Sequence, residues 1–359
     1  MNYGNKEIDI IVADSLGEIN YRQKRLLLAS LNENVSDGGK YTQELIKTLG
    51  EGVYNKIRKK FCEQNYRDRV LKNLNAKNID CITCKSAEYP ARLLPLPAPP
   101  LVLYARGDTG LLKDRLFGVV GSRRTPAQTI EQCKKFCSAL CGKLTLVTGV
   151  ADGADSAVMR GALKSGKIIC VLPGGHDRSG AADLTLLKEV EKRGLTISEF
   201  PPETRVQRYT FVVRNRIIAG LSEGVLVVSA GKVSGALSTA GYATEYSKHV
   251  FAFPYGVGAE CGEGCNDLIK HGAYLCDSVD DVFGILGIEL KEEKSEVELT
   301  GDERTVYNEI KLQGEMHAEQ IADVLGGKLT YALSVCSMLE IKGLIIRTGG
   351  NKFAALQII

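Results

Sequence analysis

Several signatures that would fix a function at sight are missing from this sequence. Neither a G-x-G-x-x-G dinucleotide fingerprint nor a G-x-x-x-x-G-K-[ST] phosphate loop occurs anywhere in the 359 residues. H-E-x-x-H and H-x-x-E-H are absent too, and the four histidines (His176, His249, His271, His317) are scattered. No apolar run approaches membrane-spanning length, and the N-terminus MNYGNKEIDIIVAD lacks the pattern of a signal peptide. The expectation is a cytoplasmic protein without a membrane partner. A large charge excess is lacking as well. The net charge of +3 cannot by itself argue for nucleic acid, so a polyanion site has to come from local clustering.

What is present is an ordinary globular composition, 44% hydrophobic and 25% charged, with length enough for two or three domains. Eleven cysteines without an export signal fit reduced thiols. Cys133, Cys137 and Cys141 recur every four residues on a predicted helix and read as small buried hydrophobes. Cys81-x-x-Cys84 has no second pair at matching spacing, since Cys261 and Cys265 are separated by three residues, so no metal site is expected.

Residues 1–75 carry short amphipathic patterns at 22–31, 42–50 and 52–61, which predict a small all-α domain. Its stripe of Lys56, Arg58, Lys59 and Lys60 fits a solvated helix face. Five of the ten prolines fall in YPARLLPLPAPP (89–100), an extended connector. Residues 76–290 then alternate apolar strand runs with helical segments. The runs Phe117–Gly121, Leu144–Thr148, Lys167–Leu172, Leu195–Glu199, Gly224–Ser229 and His249–Pro254 are continuously apolar, as strands covered on both faces are. The fold class is α/β, an open Rossmann-like parallel sheet. Thr125-Pro126 predicts an N-cap and first-turn proline for its first helix. Beyond the acidic stretch Leu290–Glu298, residues 296–359 predict three helices and a hairpin turning at Gly349-Gly350, a winged helix. That domain holds 6 Lys/Arg against 9 Asp/Glu, and its third helix is nearly devoid of base-reading side chains. Protein contact or a structural role therefore suits it better than groove reading.

In such a sheet, ligands bind beyond the carboxyl ends of the strands. There the sequence places Gly121-Ser122-Arg123-Arg124, Thr148-Gly149, Pro173-Gly174-Gly175-His176 and Gly231-Lys232-Val233-Ser234-Gly235. Any one of these is explained as a tight turn. Together with Arg214, Asn215 and Arg216 in FVVRNRIIAGLS, they predict a phosphate site clamped by Arg123, Arg124, Arg216 and Lys232. His176, Glu199 and Glu245 are the residues placed for acid–base work, but each has a capping or surface role as an alternative. No catalytic set emerges.

GVVGSRRTP, LVTGVADGADSAVMRGAL, FVVRNRIIAGLSEGVLVVSAGKVSGALSTAGYATE and FAFPYGVG…GCNDLIKHGA resemble the DNA-processing protein A (DprA/Smf) family, and the likeness extends to the proline-rich connector and the C-terminal domain. The resemblance implies a non-enzymatic, dimeric protein without cofactor. Such a protein binds single-stranded DNA and helps load a RecA-type recombinase during natural transformation. It also implies that the all-α domain is sterile-alpha-motif-like. Matching positions are Gly121, Ser122 and Arg123 for the phosphate turn, Arg214, Asn215 and Arg216 for the RNR segment, and Lys232, Ser234 and Gly235 for the later turn. Phe211 matches an aromatic placed to stack on a base. Ser229 departs from the family, which has an acidic or amide residue there, and Gly175–Ser179 has lost a tyrosine and a proline. The same sheet variety resembles nucleoside-monophosphate phosphoribohydrolases, in which case VSGALSTAGYATE would be the phosphate turn and Glu245 the acid.

Overall fold

All six continuously apolar runs form strands. Along five of them alternate residues go to two separate apolar layers, while Leu195–Glu199 carries buried Thr196 and Ser198 on one face. The computed structural model describes residues 3–31, 39–289 and 299–355, in two compact units, Met1–Glu289 and Leu290–Ile359.

The first unit begins with helices α1 (Asn5–Asp14), α2 (Tyr21–Ser30), α3 (Lys40–Leu49), α4 (Glu51–Cys62) and α5 (Gln64–Ala76). A nine-stranded sheet follows: β1 (Asp80–Thr83), β2 (Val102–Gly107), β3 (Leu116–Gly121), β4 (Thr145–Thr148), β5 (Ile168–Val171), β6 (Leu195–Ser198), β7 (Gly224–Ser229), β8 (His249–Ala252) and β9 (Tyr274–Leu275). Interleaved with it are α6 (Ala127–Leu140), α7 (Ala154–Ala162), α8 (Leu184–Arg193), α9 (Arg208–Leu221), α10 (Gly235–Glu245), α11 (Glu263–Lys270) and α12 (Val279–Ile285). The strand order is β1-β2-β6-β5-β4-β3-β7-β8-β9. Pairing is parallel from β6 through β9, while β2 runs antiparallel to both β1 and β6. The sheet is thus mixed rather than purely parallel. The chain builds outward from β3 to β6, then returns through α9 to start again at β7 on the other side of β3. That reversal makes the β3/β7 junction the topological switch point.

Val120, Val147, Ile169 and Val227 point to the layer covered by α9 and α10, and Phe117, Val119, Leu146 and Leu226 to the layer covered by α6 and α7. Each such fully buried side chain stabilises by about 1.5–3 kcal/mol. Cys133, Cys137 and Cys141 are buried in the second layer. The helices α1 and α5 share an apolar cluster with the antiparallel edge, Ile10, Ile11 and Leu74 packing on Cys81, Val102 and Tyr104. Asp14 is buried at that seam and accepts hydrogen bonds from Tyr104 Oη (2.9 Å) and Lys24 Nζ (3.1 Å).

The second unit has α13 (Gly301–Gln313), β10 (Glu315–His317), α14 (Ala318–Val324), α15 (Leu329–Ile341), β11 (Ile345–Gly349) and β12 (Lys352–Ala355), with sheet order β10-β12-β11. Thr300 and Glu303 cap α13 reciprocally, with the Thr300 N–H donating to Glu303 Oε2 at 2.7 Å. α14 and α15 meet at 103°. Phe353, Val306, Ile310, Ile321, Val335 and Leu339 form its core. The acidic stretch Leu290–Glu298 lies outside the described residues. Among the described residues no single helix is long and apolar enough to cross a membrane.

Candidate functional site

A cavity of about 590 Å³ opens at the switch point, lined by the end of β3, the loop after β7, one face of α9 and the start of α10. Gly121, Ser122, Arg123, Arg124, Phe211, Arg214, Asn215, Ser234 and Gly235 all reach it. Arg216 and Lys232 do not.

The first turn is held by its neighbours. A side chain at Gly121 would stand 2.6 Å from Ala154 Cβ and 2.8 Å from Val228 Cγ2, so only glycine lets α7 and β7 close on β3 here. The Ser122 N–H donates to the carbonyl (2.9 Å) and to Oγ (3.1 Å) of Ser229. It is therefore engaged inside the protein and not offered to a ligand. Ser229 Oγ also meets Thr125 Oγ1 at 2.7 Å, and Thr125 Oγ1 donates to the Ser122 carbonyl at 2.7 Å. Thr125 is accordingly not the N-cap of α6. That position falls to Pro126, and the Thr125 hydroxyl ties β3 to β7 instead. Gly153, at φ +74°, lies under the turn, where a Cβ would come within 2.5 Å of the Ser122 and Arg123 carbonyls. What the turn does present outward is the exposed pair Arg123 and Arg124. The Arg123 guanidinium lies over the Phe211 ring, 4.7 Å from its centroid.

Arg214 and Arg216 share the RNR segment, but residues two apart on an α-helix point about 200° from each other. Arg214 turns inward and is only 4% exposed. It donates from Nη1 to the Val171 carbonyl and from Nε to Asn215 Oδ1 (3.1 Å). It faces Asp155, whose Oδ2 accepts the Ala151 N–H at 3.0 Å. Burial raises the Asp155 carboxyl above its usual range, and Arg214 opposes that rise. Gly149 has no side chain because a Cβ would lie 2.3 Å from Asp155 Oδ2 and 2.6 Å from Arg214 Nη2. Asn215 donates from Nδ2 to the Gly235 carbonyl (3.2 Å) and Ser238 Oγ (2.8 Å), which fixes the turn ahead of α10. Arg216 faces away and pairs with Glu199, whose carboxyl is pushed up to about 7 by desolvation against the pull of Arg216. Lys232 projects into solvent, 3.6 Å from Glu263.

The acid–base candidates leave the cavity without a catalytic set. Glu199 is spent on Arg216. His176 is buried with Nε2 3.2 Å from Thr196 Oγ1, and burial, with help from Arg106, lowers it to about 3. It is drawn under because Gly174 and Gly175 pack directly against the 201–204 backbone. Neither it nor the rest of Gly175–Ser179 lines the cavity. Glu245 ends α10, about 15 Å along the helix from Gly235, and lines no wall either. That takes the proposed acid away from its own phosphate turn. Sequence reasoning missed Asp155 as the counter-charge, Glu260 and Cys261 on the far wall, and Thr239 on the floor. The Thr239 hydroxyl is fully buried and has no protein partner, a polar atom available to whatever enters.

Residues 80–287 match the family model of DNA recombination-mediator protein A. The DNA processing protein DprA of Bacillus subtilis is 37% identical over 219 residues, 60% of this chain and 74% of that protein. The putative DNA processing protein DprA of Mycobacterium tuberculosis is 32% identical over 293 residues, 74% of each chain. Among solved structures, DNA processing protein A of Streptococcus pneumoniae superimposes with a TM-score of 0.67 at 28% identity, covering 79% of this chain and 98% of that one. The Helicobacter pylori protein, solved to describe its single-stranded DNA binding mode, gives a TM-score of 0.52 at 26% identity and covers 58% and 95%. With the whole central sheet inside the matched span, this chain belongs to the DNA recombination-mediator protein A family.

Proposed function

We propose that this protein binds single-stranded DNA without acting as an enzyme, protecting incoming strands and assisting a RecA-type recombinase to load on them in natural transformation. The observation that carries the reading is the outward pair Arg123 and Arg124 at the switch point, with Arg123 lying on Phe211. Guanidinium groups hold phosphates, an aromatic ring takes a base, and the combination tolerates any sequence. The single-stranded DNA binding described for the Helicobacter pylori relative supports it. In this reading residues 76–290 are the binding core, working as a homodimer in the cytoplasm. Residues 1–75 form a sterile-alpha-motif-like module, and residues 296–359 a winged helix that does not read bases.

The cavity's phosphate ligands are then Arg123 and Arg124, with help from the first N–H groups of α10 at Gly235. Arg214 and Asn215 position the walls, and Lys232 is near enough along its loop to join a bound strand. Mobility shifts of a thymidylate oligomer test this. Replacing both Arg123 and Arg124 by alanine should weaken binding by about 100-fold or more, at roughly 1.5 kcal/mol or above for each charged hydrogen bond. Unchanged affinity would refute the site.

A further inference from the structure

The cavity is not closed on the side of α9. Arg123 and Phe211 form one of its walls, and both also line a second, shallower depression of about 340 Å³ completed by Val206, Gln207 and Arg208. We propose that this depression is a second nucleotide subsite, through which a strand held in the cavity leaves across the N-terminal turn of α9. It rests on the single-strand reading above and extends it.

Three observations point the same way. First, the Arg123–Phe211 pair belongs to both depressions, so a nucleotide in one is covalently within reach of a nucleotide in the other. Secondly, Arg208 is exposed and has no acidic partner among the described residues, and the same holds for Arg205 just before it. A phosphodiester entering the second depression would meet unpaired guanidinium on both flanks, Arg123 and Arg208, while the Gln207 amide and the Phe211 ring edge could receive a base. Thirdly, the wall is built before any ligand arrives. The Gly175 N–H donates to the Thr204 carbonyl at 3.0 Å, and the Asp177 N–H to the Pro202 carbonyl at 2.9 Å. Val206 fills the space beside Gly174 and Gly180, whose Cβ atoms would lie 2.7 and 2.8 Å from its Cγ2. The segment is thereby anchored to the loop after β5, and little ordering is needed on binding.

The test compares a single thymidylate nucleotide with a thymidylate oligomer of about 12 nucleotides on the full-length protein, by fluorescence anisotropy and competition at several salt concentrations. Arg208→Ala is an exposed change and should fold normally. We expect it to weaken the oligomer several-fold more than the single nucleotide, and to lower the salt slope for the oligomer by about 0.7. Arg208→Lys should restore most of the affinity. Equal weakening of both ligands, or weakening of neither, overturns the subsite. Failure of the wild-type protein to bind either ligand is a different result, because it removes the single-strand reading itself.

Discussion

Phe211 is the residue on which both depressions depend, and its ring already carries a cation at 4.7 Å. A base that stacks there would have to share the ring with Arg123 or displace it. Stacking on an aromatic contributes about 1–3 kcal/mol per base, so Phe211→Ala should weaken a thymidylate oligomer by roughly 5- to 100-fold. The chain has no tryptophan. Phe211→Trp therefore supplies a single fluorophore, whose emission should be quenched as an oligomer is titrated in. Emission that ignores saturating oligomer would place the bases elsewhere. That Phe211, Arg123 and Arg124 reach the cavity was legible in the sequence, because the turn after an apolar strand run and the start of the RNR segment both belong at the sheet's carboxyl edge. Which way Arg214 and Arg216 turn was not legible, because charge is visible in sequence and its direction is not. One guanidinium braces Asp155, and the other pairs with Glu199.

Those two braces carry predictions at the scale of the elements they join. Asp155 begins α7 and Arg214 lies within α9, so the pair fastens both helices to the ends of β4 and β5. Asp155→Ala would leave a buried guanidinium uncompensated and should cost about 3–5 kcal/mol in urea unfolding. A loss below about 1 kcal/mol would mean that water or another anion holds Arg214 in place. The second brace is sensitive to pH. Glu199 is pushed from the usual 4.5 up to about 7, so between those values the folded protein keeps a proton that the unfolded chain releases. Its contribution is fully present below about 4.5 and is lost as pH rises through about 7, by roughly 3 kcal/mol at most. Glu199→Gln cannot titrate. Its unfolding free energy relative to wild type should rise steadily across that window, and parallel profiles would remove Glu199 as the titrating group. The strands themselves were readable because double-sided burial leaves continuous apolar runs. The antiparallel edge was not, since β2 follows the proline-rich connector and pairs with β1 and β6 without any periodic mark of direction.

At the scale of the whole molecule, charge and topology lead to one further expectation. The net charge of +3 is too small to draw a polyanion from a distance, so binding should depend on the few guanidinium groups around the switch point. Residues 296–359 hold 6 basic against 9 acidic residues, and α15 offers almost no donors for base edges. The second unit also closes its own core around Phe353. A chain ending at Glu289 should therefore keep the first unit folded and bind a thymidylate oligomer within about two-fold of the full-length protein. The salt slope should stay the same, because none of the phosphate-holding cations has been removed. Tighter binding after the truncation would show that the acidic unit competes for the same cations. A large loss would instead make it part of the interface, and the strand path over α9 would then account for only part of the footprint.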